Sequence, residues 1–137
     1  MTPTTITRQQ AIPLILAAIE NKTLAATDDT VGAVYAWPKG QNSCGDFPIE
    51  EAQALAAAGA PMCYCAIGIV IGPKNALDLQ FSEGTTYALA YSLIDRGDLI
   101  VPEDEVEWFI ALQATHDSWA GTPHNERKRA AFMDHLK

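Results

Sequence analysis

Helix-forming and helix-terminating signals dominate this sequence and constrain its fold more than any other feature. Alanine is the commonest residue and is concentrated in the run at 52–60. Alanine has the highest helix propensity, and no stretch shows the sustained apolar–polar alternation that is typical of a half-buried strand. Stop signals such as Gly72-Pro73 and Arg96-Gly97 follow apolar stretches, where helices commonly end. The pattern therefore predicts an all-α fold.

The length of the chain, 137 residues, suits one domain. A domain of this size buries about two thirds of the surface that its unfolded chain exposes, so it needs no disulfide or metal to fold. Hydrophobic residues make up 48% and charged residues 19% of the sequence, which is a globular composition. We therefore predict that residues 1–137 form a single compact bundle of five or six short helices.

Local signals predict where the helices in the first half of the chain begin and end. Thr7 and Gln10 have the spacing of a capping box, in which each side chain bonds to the other residue's backbone N–H. A second helix is predicted to end at Gly59, and a third to span 60–72. The first helix carries an apolar stripe at helical spacing, formed by Ile12, Ile15, Leu16 and Ile19.

The second half of the chain is predicted to hold the remaining helices. Lys74–Gly84 is polar and is predicted to be a loop. The next helix should end at Gly97, and another should open at Pro102. His116–Gly121 is interpreted as a polar link, and Thr122, which a proline follows, as the cap of the last helix.

The segment Thr30–Trp37 fits two alternatives. Its β-branched and aromatic residues suit a short strand, but no pairing partner is obvious in the sequence, so a short helix or an extended segment is favoured. The expected core consists of Ile12, Leu16, Ile19, Leu55, Cys65, Ile69, Leu89, Leu93, Phe109 and Leu112.

The charge balance excludes one class of partner. The sequence has 9 Lys plus Arg and 17 Asp plus Glu, which gives a net charge of −8 at pH 7. Such an acidic surface repels a phosphate backbone, so we expect no nucleic-acid binding by direct phosphate contact.

The sequence also indicates a compartment. The longest apolar run, Met62–Ile71, is shorter than the roughly 18 residues of a membrane span, so no membrane partner is expected. The first residues lack the basic region and cleavage site of a signal peptide. Three cysteines cannot all pair within one chain, which favours reduced thiols and a cytoplasmic location.

The cysteines raise the question of a metal or of catalysis. Cys44, Cys63, Cys65 and His116 would make a four-ligand zinc set by composition. If Cys63 and Cys65 share a helix, however, residues two apart project about 200° from each other, so we expect no metal site and no cofactor. A cysteine-dependent enzyme, with Cys65 or Cys63 as nucleophile, His116 as base and Asp117 as orienting group, remains an alternative.

A binding site is the favoured interpretation of the remaining polar and aromatic residues. The link His116-Asp117-Ser118-Trp119 should place polar groups beside an aromatic wall, at helix ends where a small domain can present directed donors. The competing interpretation is that Asp117 caps a helix end and that the tryptophans are core anchors. The predicted binding residues are Cys65, His116, Asp117, Trp119 and Trp37.

Three short motifs occur in order along the chain: Cys65-Ala66-Ile67-Gly68, then His116-Asp117, then Thr122 before the final helix. The pattern resembles an uncharacterised family of small helical bacterial and phage proteins, a domain of unknown function with a Cys-Ala-Leu-Gly-like helix and a late Asn-Asp motif. His116 stands where that family tends to have asparagine, and Gly121 replaces an arginine usually found before the threonine. The resemblance implies a helical fold and a place in the phage or bacterial cytosol, but no reaction.

Together these observations predict a non-enzymatic cytoplasmic protein that binds a host protein or a small molecule and is encoded by a phage. The cysteine-dependent enzyme is the alternative function.

Overall fold

The computed structural model describes residues 2–27, 35–41, 47–81 and 90–137. Seven α-helices and four short strands lie within these ranges. The helices are α1 (Arg8–Glu20), α2 (Ile49–Ala57), α3 (Ala66–Ile71), α4 (Pro73–Phe81), α5 (Ala90–Arg96), α6 (Val106–Gly121) and α7 (Glu126–His135). The strands are β1 (Thr4–Thr5), β2 (Ala36–Pro38), β3 (Met62–Tyr64) and β4 (Leu99–Ile100), and a 3₁₀ turn, Glu103–Glu105, precedes α6.

The protein is mostly helical, as predicted, but it is not all-α. β1 pairs in parallel with β4, and β2 pairs antiparallel with β3, so that Trp37 lies opposite Cys63. Each strand has two or three residues, too few to show alternation in the sequence, and each finds its partner far along the chain. The predicted segment Thr30–Trp37 thus does have a pairing partner for its last residues, while 30–34 lie outside the described residues.

Helix α1 begins as predicted but buries a different face. The Thr7 Oγ1 accepts from the Gln10 N–H at 3.2 Å, and the Thr7 N–H donates to the Gln10 Oε1 at 3.0 Å, which completes the capping box. The fully buried face consists of Ala11, Ile15 and Ala18, whereas Leu16 is 45% exposed. Alanine is small enough to allow α1 to pack closely on α3, and the larger Leu14 and Leu16 of the same helix are exposed.

Helix α3 lies at the centre of the helical packing and contacts α1, α4 and α6. The predicted third helix over 60–72 is wrong in its first half, where β3 is extended and Cys65 is the N-cap. A Cβ at Gly68 would collide with the carbonyl oxygen of Tyr35, so glycine allows this close approach.

Three boundaries in the second half also differ from those predicted. Lys74–Gly84 is predicted to be a loop, but Pro73 occupies the first position of α4, where proline is favoured, and the helix runs to Phe81. His116–Gly121 is not a link, because α6 continues through it. Asn125 rather than Thr122 caps α7, since the Asn125 Oδ1 accepts from the Lys128 N–H at 3.1 Å.

The core is confirmed in part. Of the ten expected core residues, Cys65, Leu93, Phe109 and Leu112 are buried, Ile12, Ile19 and Ile69 are partly buried, Leu16 and Leu55 are exposed, and Leu89 lies outside the described residues. Phe132 on α7 is fully buried although it is not among them. No helix within the described ranges is long and apolar enough to cross a membrane.

Candidate functional site

The first turn of α3 is buried, and its backbone N–H groups need partners that local sequence does not fully supply. A helix leaves its first N–H groups without intrahelical acceptors, and burying them unpaired costs about 1–3 kcal/mol each. The cap residue Cys65 supplies one acceptor, because its Sγ lies 3.3 Å from the Gly68 nitrogen and accepts that N–H.

Two side chains of α6 complete the cap. The Ala66 N–H donates to His116 Nδ1 at 3.2 Å, and the Ile67 N–H donates to Gln113 Oε1 at 3.0 Å. All three bonds are buried. The N-terminus of α3 is therefore capped partly by its own cysteine and partly by a neighbouring helix.

The hydrogen bonds of His116 fix its protonation state. Its Nδ1 must accept, since a backbone N–H only donates, and its Nε2 lies 3.0 Å from the carbonyl oxygen of Ala25, which only accepts. The ring is therefore neutral with its proton on Nε2. Burial lowers the pKa of His116 from 6.5 to about 4, and the bond to Ala25 opposes that shift.

Asp117 belongs to the same group but is not a helix cap, because it lies well inside α6. Its Oδ1 accepts from Gln113 Nε2 at 2.6 Å, so Gln113 bridges the carboxylate and the first turn of α3. Burial raises the pKa of Asp117 from 3.8 to about 6, and the bond from Gln113 opposes the rise. We call Cys65, Gln113, His116 and Asp117 the cap cluster.

The chemistry of the Cys65 thiol follows from its surroundings. Cys65 is fully buried, and burial raises the pKa of its thiol to about 12, against the bond from the Gly68 N–H. A thiolate is the nucleophilic form of cysteine, so this thiol is held in its unreactive form at neutral pH.

The structure brings four of the five predicted site residues together. Cys65, His116 and Asp117 belong to the cap cluster, and Trp119 contacts the His116 ring edge to face with centroids 6.1 Å apart. Trp37 lies in a different aromatic group, stacked on Phe81 and edge-on to Phe47.

Two contributors are missing from the predicted site. In the sequence, Gln113 fits the edge of an apolar stripe. The signal that could have identified it is its position four residues before Asp117, which places both residues on one face of a helix. Tyr35 is the second: its hydroxyl is buried without a hydrogen-bond partner among the described residues, and it lies close enough to Cys65 and Asp117 to interact electrostatically. No sequence signal indicates Tyr35.

The described residues hold no group of three or more His, Cys, Asp or Glu that could bind a metal, and Cys44 lies outside them. The sequence pattern predicts Cys63 and Cys65 on one helix, with their side chains on opposite sides. This placement is wrong, since Cys63 lies on β3 and Cys65 is the N-cap of α3. The Cys63 thiol donates to the carbonyl oxygen of Trp37 at 3.4 Å, while the Cys65 thiol caps α3.

A cavity of about 290 Å³ lies beside Trp119, between the chain that leaves α1 and the start of α7. The Trp119 indole is held there because its Nε1–H donates to the carbonyl oxygen of Pro123 at 3.2 Å. We call this space the Trp119 cavity; its walls include Ile19, Lys22, Ala26, Trp119, Glu126 and Arg129.

One wall of the Trp119 cavity has unusual backbone geometry. Lys22 has φ 57° and Ala26 has φ 82°, and they are the non-glycine residues with positive φ in the described part of the chain. Lys22 follows the end of α1 in a Schellman motif, with the Thr23 N–H bonded to the Ala18 carbonyl oxygen at 2.9 Å. Glycine is the usual residue at that position, so lysine there costs about 1 kcal/mol.

The same wall is firmly held. The Tyr64 N–H donates to the Thr23 carbonyl oxygen at 2.8 Å, and the Ala25 N–H donates to the Tyr64 carbonyl oxygen at 2.9 Å. The Ala25 carbonyl oxygen in turn accepts from His116. Hydrogen bonds from β3 and from the cap cluster therefore hold the segment that contains the two positive-φ residues.

A second cavity, of about 250 Å³, lies between α1 and α3 and is lined mainly by apolar groups, among them Leu14, Ala17, Tyr64 and Ile69. The described residues that form its wall carry no charge.

Comparison with known proteins gives no match. No protein-family model, no curated protein and no solved structure matches the chain.

Proposed function

We propose that this chain is a non-enzymatic, cytoplasmic small-ligand-binding protein, and that the Trp119 cavity holds the ligand. In line with the resemblance to bacterial and phage proteins, we further propose that it is encoded by a phage and acts in a bacterial host.

The observation that carries the proposal is the coincidence of backbone strain and a cavity. Lys22 and Ala26 both adopt left-handed backbone conformations, and both line the Trp119 cavity. Strained residues persist where the surrounding structure holds them, and they concentrate at ligand-binding and catalytic sites. An aromatic wall beside a few polar groups is the usual composition of a small-molecule site.

The cap cluster supports this site without being the site. His116 packs against the Trp119 ring and bonds to Ala25, the residue before the strained Ala26. It is thus a positioning residue for two walls of the Trp119 cavity. This role accounts for a buried, neutral histidine that has no free nitrogen.

The contacts of the cap cluster disfavour the cysteine-dependent enzyme. A general base needs a nitrogen that can take a proton from the nucleophile, whereas both nitrogens of His116 are bonded to the backbone. The Cys65 thiol is buried, and its pKa is raised to about 12, opposite to the shift that activates a cysteine.

A small-molecule screen with a filled-cavity variant tests the proposal. Binding of compounds from a fragment library would be followed by NMR through the indole N–H signal of Trp119, assigned with Trp119→Phe. Ile19→Trp should fill the Trp119 cavity and abolish these shifts, whereas Leu16→Trp, on the exposed side of the same helix, should retain them. Circular dichroism and thermal melting would show that both variants fold.

Two results would contradict the proposal. One is a screen in which no fragment shifts the Trp119 signal at the millimolar affinity expected of compounds of this size, about 0.3 kcal/mol per heavy atom. The other is retention of every hit by a folded Ile19→Trp protein.

The strain at Lys22 gives a prediction in which stability and binding change in opposite directions. Lys22→Gly should raise the free energy of unfolding by about 0.5–1 kcal/mol, because glycine adopts positive φ at no steric cost. The same change removes a charged wall of the Trp119 cavity and should weaken the binding of screen hits. Urea denaturation and NMR titration measure the two effects. The control is Lys22→Ala, which removes the charge but keeps a Cβ at positive φ, so it should weaken binding without the gain in stability.

A further inference from the structure

The charged side chains at the Trp119 cavity carry an inference about the kind of ligand. Lys22 and Arg129 contribute two positive charges to its wall, and Glu126 contributes one negative charge. None of the three forms an ion pair with another described residue. The described residues of the wall therefore carry a net charge of 2 − 1 = +1, on a protein whose net charge is −8.

The charge of these described wall residues is opposite in sign to the net charge of the sequence. Within the described part of the chain no carboxylate pairs with Lys22 or Arg129, and a carboxylate or sulfonate of a ligand can accept hydrogen bonds from lysine and arginine together. Arg129 and Glu126 lie in the first two turns of α7, whose amide dipoles add positive potential at that end.

The apolar residues of the cavity wall determine the chemistry of the uncharged part of the ligand. Ile19 and Trp119 line the same cavity as the charged groups, so the ligand needs an apolar body as well as a charged group. A cavity of about 290 Å³ is large enough for one ring with a short acidic side chain.

We infer that the ligand of the Trp119 cavity is a small organic monoanion with an apolar or aromatic body, whose acidic group pairs with Lys22 and Arg129. This inference rests on the proposed function and specifies the ligand class. Glu126 opposes such a ligand and sets an upper limit on its affinity.

Three compounds of one shape test the charge requirement: phenylacetate, phenylacetamide and phenethylamine. Each would be titrated while the Trp119 indole signal is followed by NMR. We expect phenylacetate to bind with a Kd of a few millimolar, about 0.3 kcal/mol for each of its heavy atoms. Phenylacetamide should bind about fivefold more weakly, and phenethylamine more weakly still.

Charge variants then assign the groups. Lys22→Gln and Arg129→Gln should each weaken phenylacetate binding about three- to tenfold, and high salt should have the same effect. Glu126→Gln should strengthen it about two- to fivefold, because it removes the repelling carboxylate. Arg127→Gln, an exposed change on the same helix but outside the cavity wall, should leave the Kd unchanged.

The outcomes separate this inference from the proposed function. Equal binding of phenylacetamide and phenylacetate would overturn the monoanion and leave the small-ligand proposal in place, as would tighter binding of phenethylamine. Weaker binding of phenylacetate in Glu126→Gln would overturn it too, because the Glu126 carboxylate would then not repel the bound anion. Shifts of Tyr64 signals without Trp119 shifts would place the compound in the apolar cavity between α1 and α3 and would overturn the inference. Failure of every compound, together with a screen without hits, would overturn both proposals.

Discussion

His116→Ala is expected to lower the free energy of unfolding by about 3–5 kcal/mol at pH 7. The substitution removes a fully buried ring and leaves a cavity between α6 and the surrounding aromatic side chains. It also leaves the Ala66 N–H and the Ala25 carbonyl oxygen buried without a partner, at about 1–3 kcal/mol for each group. Few single substitutions combine both costs, so the effect should exceed that of an ordinary core truncation.

Two companion variants show whether the hydrogen bonds are responsible. His116→Asn retains an acceptor near the position of Nδ1, so it should recover the bond to Ala66 but not the bond to Ala25 and should lose less stability than His116→Ala. Ser118→Ala, an exposed site on the same helix, should stay within about 0.5 kcal/mol of the parent protein. Urea denaturation measures all three. A loss below about 1 kcal/mol for His116→Ala would contradict the cap.

The fold is predictable where the signals are local. The capping box of Thr7 and Gln10 involves side chains three residues apart, and its prediction is confirmed. Gly59 and Gly97 follow the ends of α2 and α5 with positive φ, as the sequence indicates. In these cases the residues that determine the structure are neighbours in the chain.

Prediction fails where the partner is remote. β3 forms because β2 pairs with it 26 positions away, as Trp37 does with Cys63, and nothing in a three-residue strand distinguishes it from a helix start. Apolar size is also misleading on α1, where the buried positions are two alanines and one isoleucine. The distance between the packed helices decides which face of α1 is buried. The spacing of apolar residues in the sequence carries no information about that distance.

The cap cluster shows the same limit at the site. In the sequence, His116 and Asp117 suggest a break between helices. No hydrogen-bond partner for the histidine ring is visible among its sequence neighbours, so burial of the ring inside a helix is not expected. Its partners are the start of α3 and the exit from α1, which the fold brings to it. Residue types and their proximity can therefore be predicted, but not the hydrogen bonds that define their roles.

Stability below neutral pH should reflect two opposed titrations in the cap cluster. His116 has a folded pKa of about 4, below its ordinary 6.5, so the unfolded chain takes up a proton first as the pH falls. That uptake removes about 3 kcal/mol of stability between pH 6.5 and pH 4. Asp117 has a folded pKa of about 6, above its ordinary 3.8, so the folded protein takes up this proton first and gains stability between pH 6 and pH 4.

Asp117→Asn should separate the two effects. The substituted amide keeps an oxygen that accepts from Gln113 but has no charge to bury, so at pH 7 the variant should be more stable than the parent protein by about 2 kcal/mol. As the pH falls to 4 the parent protein protonates Asp117, and the difference should shrink to near zero. The variant therefore loses stability steeply with acid, because the titration of His116 is no longer compensated.

Urea denaturation from pH 7 to pH 4 measures this, with the exposed Asp95→Asn as control. A difference between Asp117→Asn and the parent protein that stays constant across this range would show that Asp117 is ionised throughout, and that its carboxylate is better solvated than its place in the cap cluster implies.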